Sequence, residues 1–589
     1  MKQSIWFDPL LFKKPKGPVV KGTEVSFSVC YENKPNAITM IFHNDDNSYY
    51  EEIEMKNING KFFLCKKFET SGHFWYNFKV LTNDGEFYLN KTDDSYSALE
   101  NFRGNDFFQA VLEEEYVCTN SMQGGMIYQI YVDRFCKVGK VKSREPFVLR
   151  KDWGGAIHKN TTNPILINQE VFGGNFKGVM SKLDYLKDLG VTIIYFNPIS
   201  QASSNHKYDT GDYTKPDEMF GTEEEFKKLI DEADKRGIKI IIDGVYNHTG
   251  SDSIYFNREN RYNSVGAYNS QNSPYYSWYT FYEYPDKYES WWGIDTLPAI
   301  RGDCTEFQEF IAGDGGVIEK FMKLGVFGVR LDVVDEINDG FVKKISNKVK
   351  QFGKDRVIMG EVWEDAATKI SYDFRRQYFV HNQLNSVMNY PIKVSILEYM
   401  KTKEPNTLVS TIRMLQNNYP KVVLDNLMNF LGTHDTNRIF TELNLITNFN
   451  KELSKKLLKI CFVLIFTLQG VPSCFYGDEY AMENNDGSSR GCFDWENYNN
   501  DIYKFVKKLS KIRKLEALKD GELNIIYSEN GKFVFERVGK RTHVVVLINL
   551  AQTKISFDVD KKFKRFFGEK KTTSLTLNEN EFEILYEEK

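Results

Sequence analysis

The chain is predicted to be an α/β protein. A (β/α)8 barrel is preceded by an N-terminal β-sandwich, interrupted by an inserted loop domain after the third barrel strand, and followed by a C-terminal antiparallel β domain. Three observations predict this. Apolar runs in roughly the first 120 residues are all strand-like. Strand-like and helix-like runs then alternate over nearly four hundred residues, and strands alone return from about position 520. Short, almost continuous apolar strands alternating with helices indicate a parallel sheet covered on both faces. Repetition over that length fits an eight-stranded barrel, with a doubly wound open sheet as the alternative. The expected domains are 1–120, 121–515 with an insertion at about 249–298, and 516–589.

Each element has its own signal. Residues 23–30, 37–42 and 73–80 are rich in β-branched and aromatic side chains, with Asn59-Gly60 and Asp84-Gly85 supplying turns between such runs. The alternating region opens with a strand at 126–133. Helical periodicity follows at 175–189 and a strand at 191–196. A helix at 222–235 opens with the capping-box pattern Thr222-Glu-Glu-Glu225. Further strands are expected at 239–243, 327–334, 356–362, 426–431 and 471–476. Strands at 532–537 and 543–548 mark the C-terminal domain.

Composition excludes several function classes. The net charge is −4 with acids and bases well mixed, so no nucleic-acid footprint is expected. The basic run 561–565 reads as a solvated loop. No apolar stretch is long enough for a membrane span. The start lacks an apolar signal core, and cytoplasm is the default location. Eight scattered cysteines, without CxxC or zinc spacing, read as buried free thiols. The 45 Phe, 34 Tyr and 8 Trp read as filling cores and β-sandwich faces and, in part, as lining a groove for sugar rings, and composition does not apportion the two. Trp6 and Trp75 read either as exposed starch-binding rings or as core.

Four polar blocks fall at the C-terminal ends of expected strands: Asp243-Gly-Val-Tyr-Asn247-His248, Arg330-Leu-Asp332, Gly360-Glu361-Val-Trp363 and Thr433-His434-Asp435. In a β/α barrel that end is the active-site face. Arg330 and Asp332 are two apart on a strand and share a face, so the arginine is expected to keep the carboxylate charged. No Ser or Cys nucleophile with a partnered base is evident, and Gly173-Gly-Asn-Phe-Lys-Gly178 lacks the order of a phosphate loop. Paired carboxylates in an aromatic groove point to glycoside hydrolysis. Asp332 suits the charged nucleophile, and Glu361 beside Trp363 suits an acid with a raised pKa. Asp435 suits a group that binds hydroxyls and stabilises a cationic transition state. His248 and His434 suit hydroxyl binding.

These blocks, with residues 470–479, resemble the conserved regions of the α-amylase family, glycoside hydrolase family 13. The resemblance covers about 121–515. The N-terminal β module, Asn205-His-Lys-Tyr-Asp-Thr210 and Val387-Met-Asn-Tyr-Pro391 resemble its neopullulanase, cyclomaltodextrinase and maltogenic amylase branch. The resemblance implies a retaining hydrolase of α-glucans, with Asp332 as nucleophile, Glu361 as acid/base and Asp435 as stabiliser. It implies that Tyr208 stacks under the cleaved sugar, and that Asp243, His248, Arg330 and His434 shape the same position. Glu336 and Trp363 fall on the leaving-group side. It also implies maltooligosaccharides, cyclodextrins, pullulan or starch fragments as substrates, no required cofactor, and a homodimer through the N-terminal module. Related enzymes often bind calcium after the first strand, but here that loop, 134–143, is basic and offers few oxygen ligands. Leu297-Pro-Ala-Ile-Arg301 and Glu364 depart from the branch pattern, which leaves α-1,4 against α-1,6 preference open. A debranching or transglycosylating member, another family activity such as an isomerase, and a non-catalytic glucan-binding protein are the competing readings.

Overall fold

A computed structural model describes residues 5–45, 47–93, 96–116, 122–158, 165–558, 563–568 and 574–588. At its centre, eight parallel strands follow one another in chain order around a barrel. They are β1 (Ile127–Ile130), β2 (Ile193–Phe196), β3 (Lys239–Gly244), β4 (Gly328–Leu331), β5 (Val357–Gly360), β6 (Ser386–Val387), β7 (Met428–Phe430) and β8 (Val471–Phe475). β8 pairs with β1, and a parallel bridge between Met388 and Met428 joins β6 to β7. The ring therefore closes, and the open-sheet alternative is excluded. Tyr195, Ile241, Met359, Met388, Met428 and Phe430 are among the apolar residues packed within it, as expected for a filled barrel rather than a pore.

Several expectations need correction. β6 escaped the sequence reading because it is two residues long and sits in the polar run Asn385-Ser-Val-Met-Asn389. No α-helix connects β5 to β6; a short hairpin, Ile370–Ser371 against Phe374–Arg375, occupies that connection. The helix expected at 175–189 is two, Phe176–Ser181 and Leu183–Leu189. The strand expected to reach Asp133 stops at Ile130 and turns into a short helix, Val132–Phe135. The helix Glu223–Asp234 forms with both halves of its capping box in place.

The N-terminal strands form two sheets around a core that includes Phe7, Phe27, Phe42, Tyr76, Phe78 and Phe107. Trp75 is no open sugar platform: it packs on Phe108, and the Arg375 guanidinium from the barrel lies 4.5 Å from its ring. Trp6 is half-buried, its ring edge-on to Phe12. The C-terminal domain is antiparallel, with Glu522–Glu529, Lys532–Val538, Thr542–Asn549 and Glu581–Glu588 adjacent in that order. The basic run 561–565 is not simply a solvated loop. Lys561 and Lys562 lie outside the described residues, but Phe563 is buried and Lys564–Arg565 pair with Leu585–Tyr586. Cys118 also lies outside the described residues. Of the seven other cysteines, all free, five are buried, Cys30 is half-buried and Cys65 is exposed. Among the described residues no helix is long and apolar enough to cross a membrane.

Candidate active site

The strands deliver the four polar blocks to one end of the barrel. Asp243 lies at the end of β3, while Arg330 is on β4 with Asp332 just beyond it; Glu361 follows β5, and His434 and Asp435 follow β7. Tyr208 comes from the loop after β2. Tyr208, His248, Asp332, Glu361 and Asp435 line a single cleft of about 1210 Å³, together with Glu336, Trp363 and Arg490. Asp243, Arg330 and His434 are buried just beneath or beside it. All ten residues singled out from the sequence are therefore brought together, although in two layers.

Arg330 organises the lower layer. It is fully buried. Its Nη1 donates to Asp243 Oδ1 at 2.8 Å and to Asp332 Oδ1 at 2.7 Å. Its Nη2 lies 2.9 Å from Glu361 Oε2. One guanidinium thus serves three carboxyl groups, not Asp332 alone as the sequence spacing implied. Burial raises the Asp332 carboxyl well above its ordinary range. Arg330 opposes this, but the neighbouring charges of Glu361 and Asp243 add to it. Three acids around one cation favour retention of a proton. Asp332 and Glu361 meet different nitrogens of the one guanidinium, which places the two carboxyl groups side by side in the cleft, as a retaining mechanism requires.

Local backbone fixes these acids. Val333, next to Asp332, has φ 37, a left-handed conformation that a β-branched residue rarely adopts. Its N–H donates to Glu361 Oε2 at 2.9 Å. Glu361 Oε1 accepts the Trp363 indole N–H at 3.1 Å, and the Trp363 ring stacks on Tyr390 with centroids 4.0 Å apart. Both oxygens of Glu361 are therefore oriented.

The other side of the cleft is a second network. Asp243 Oδ2 accepts hydroxyls from Tyr195 at 2.7 Å and Tyr208 at 3.0 Å. Tyr208 also meets His434 Nε2, and the two rings are parallel within 3°. Gln129 Nε2 donates to His434 Nδ1 at 3.1 Å, which puts the imidazole proton on Nε2, 3.1 Å from Asp435 Oδ2. Burial holds His434 well below its usual pKa and lowers His248 to about 4, so both are neutral at ordinary pH. His248 stacks on Trp291 at 5.1 Å.

Arg490 was missed by sequence reasoning. Its Nε donates to the His434 carbonyl at 3.0 Å and its Nη2 to Asp435 Oδ1 at 3.3 Å. The only signal was one arginine in the polar stretch Ser488-Ser-Arg-Gly after β8. Asp133 accepts Arg134 Nε at 2.6 Å and the backbone N–H groups of Phe172 and Gly173. Those donors satisfy the carboxylate.

Comparison with known proteins agrees with this geometry. The family model described as the α-amylase catalytic domain matches residues 129–508. An amylopullulanase of Thermoanaerobacterium saccharolyticum is 31% identical over 91% of this chain, which matches 47% of that protein. The chain thus spans about half the length of that relative. A cyclomaltodextrinase of Thermoanaerobacter pseudethanolicus is 32% identical, covering 72% of this chain and 70% of its own. Among solved structures, a cyclomaltodextrinase superimposes with TM-score 0.71 at 21% identity over 99% of both chains. The type III pullulan hydrolase from Thermococcus kodakarensis gives 0.69 at 23% identity, over 99% of this chain and 100% of its own.

Proposed function

Because the chain belongs to the α-amylase family, glycoside hydrolase family 13, we propose that it is a retaining α-glucan hydrolase. The observation that carries the reading is the single buried guanidinium of Arg330, hydrogen-bonded to Asp332 and ion-paired with Glu361. In the proposed reaction Asp332, having released its proton to solvent, attacks the anomeric carbon as Glu361 gives its proton to the glycosidic oxygen. The leaving sugar departs as a neutral alcohol and a covalent glycosyl ester forms on Asp332. Glu361, now a carboxylate, takes a proton from water as that water attacks the ester, which frees Asp332 and the sugar. Asp435, exposed to the cleft, stabilises the cationic transition states. Tyr208 stacks beneath the sugar, and His248, His434 and Arg490 bind its hydroxyls. No step calls on a cofactor.

The proposed substrates are α-1,4-linked maltooligosaccharides, cyclodextrins, pullulan and starch fragments. Cleavage of α-1,6 bonds is a second reading, favoured by the amylopullulanase match across nine-tenths of the chain. Chromatography of products from maltohexaose, pullulan and β-cyclodextrin tests both. Maltose and glucose from maltohexaose are expected. Panose from pullulan identifies α-1,4 cleavage and maltotriose identifies α-1,6 cleavage, while no product from any of the three contradicts the proposal. We further propose the division into 1–120, 121–515 and 516–589, and a homodimer through the N-terminal module, which a monomeric mass in sedimentation would rule out. A cytoplasmic location belongs to the same proposal, supported by the seven free thiols among the described residues.

A further inference from the structure

A buried arginine with no part in the proposed reaction ties together the two loops that carry its acids. The chain leaves β4 through Asp332 and a short 3-10 turn, Val334–Glu336, before the helix Asp339–Lys350. It leaves β5 through Glu361 and runs through the hairpin toward β6. Arg376, 7% exposed, sits where these two paths meet and is not among the residues lining the cleft. Its Nη1 donates to the Ile337 carbonyl and to Asp339 Oδ1, both at 3.1 Å. Its Nη2 donates to the Asp335 carbonyl. A planar guanidinium holds such acceptors in fixed directions, whereas a lysine ammonium on its flexible stem does not.

Other groups close the same joint. The Asp335 carboxylate accepts the Tyr378 hydroxyl at 2.8 Å and pairs with Lys369 Nζ at 3.3 Å. The Gln377 N–H donates to Asp339 Oδ2 at 3.3 Å. The 369–378 segment thus grips 335–339 along its length. Its far side is anchored on the N-terminal module. Arg375 donates to Asp45 at 2.6 and 2.9 Å, the Glu113 N–H to the Val380 carbonyl at 2.9 Å, and the Tyr116 hydroxyl to the Leu384 carbonyl at 3.0 Å. Nearer the cleft, the same two loops meet through the Val333 N–H and Glu361 Oε2, 2.9 Å apart.

We propose that Arg376 and Tyr378 are positioning residues for the proton donor: their brace between the two loops sets where Glu361 stands relative to Asp332. The proposal rests on the glucan-hydrolase reading above. Asp332 is held from below by Arg330, which also grips Asp243 on β3. Glu361 shares that guanidinium, but its remaining contacts, Val333 and Trp363, belong to the braced loops themselves. Loosening the brace therefore moves the acid more than the nucleophile. A displacement of about 1 Å costs on the order of a hundredfold in rate.

The test compares maltohexaose, whose leaving sugar needs a proton from Glu361, with α-glucosyl fluoride, whose fluoride departs without one. Arg376→Ala is expected to lower kcat on maltohexaose by about ten- to a hundredfold, and on the fluoride far less. Tyr378→Phe removes a single hydroxyl from a fully buried site and keeps the ring, so it secures the test if Arg376→Ala does not fold. It should show the same bias to a smaller degree. Phe374→Ala, on the exposed edge of the hairpin, serves as the control and should match the parent on both substrates. Hydrogen exchange followed by mass spectrometry adds a readout independent of turnover. Arg376→Ala should speed exchange in the 333–339 peptide, on the opposite loop, as well as around the substitution. Equal fractional losses on both substrates, or none, overturn the proposal, and so does unchanged exchange in 333–339. A parent enzyme that cleaves neither substrate overturns the hydrolase reading instead, and the exchange result then decides by itself whether Arg376 locks the two loops.

Discussion

At the scale of single residues, Arg330 decides the chemistry by being shared. An isolated Arg–Asp pair would lower the aspartate's pKa, whereas one guanidinium among three buried carboxyl groups does not offset their mutual repulsion. The Asp332 carboxyl is raised, so it favours folding most when protonated. Its contribution is greatest below the unfolded value of about 3.9 and is lost as pH rises through the higher folded value. Asp332→Asn removes that loss. Thermal melts should show the variant gaining stability relative to the parent as pH rises above about 4, the reverse of its effect on activity. Glu361→Gln should lower kcat on maltohexaose by roughly 10²–10⁴-fold. It should lower the rate on glucosyl fluoride far less, because fluoride departs without a proton. Equal losses on both would show that Glu361 does not act as the acid. Seven of the nine residues singled out beside Arg330 were legible because each falls in a short polar block at a strand end; Tyr208 and Glu336 were reached only through the family resemblance. Arg490 was not, because nothing in its own stretch of sequence points back to Asp435.

At the scale of elements, the site depends on loops tied down from behind. The loop bearing Tyr208 is anchored by its neighbour Lys207, whose buried Nζ meets Asp217 Oδ2 at 2.8 Å while its backbone sits at φ 65. Arg144 donates to the same carboxylate at 2.8 Å. Removing Lys207 leaves Arg144 as the remaining partner of the buried carboxylate, so the cost falls below the about 3–5 kcal/mol of a buried charge left wholly unpaired. Lys207→Met should therefore lower the midpoint of urea unfolding and raise KM through misplacement of Tyr208; an unchanged midpoint and KM would refute the anchoring role. Seven of the eight barrel strands were legible from apolar runs, because strands buried on both faces are nearly continuous in hydrophobicity. β6 was not, since two residues give no period. Neither was the hairpin after β5, because its exposed Ile370, Tyr372 and Phe374 alternate as an amphipathic strand would.

At the scale of the whole molecule, the N-terminal sandwich is part of the barrel's packing. Phe108, Ala110, Leu112 and Tyr116 belong to the same apolar cluster as the barrel helices. The Glu113 N–H donates to the Val380 carbonyl at 2.9 Å, and Asp8 pairs with Arg413 at 2.8 Å. A chain lacking residues 1–116 exposes that surface and should aggregate on expression, whereas soluble, folded material by circular dichroism would show that the barrel stands alone. The central claim is that Asp332 becomes covalently attached to the sugar. Its most direct test is mass spectrometry of peptides after reaction with a fluorinated α-glucosyl fluoride, which slows breakdown of the ester. The account predicts one added fluorinated hexosyl group on the peptide containing Asp332. An adduct on Glu361, or none while the substrate is turned over with inverted anomeric configuration, would contradict it.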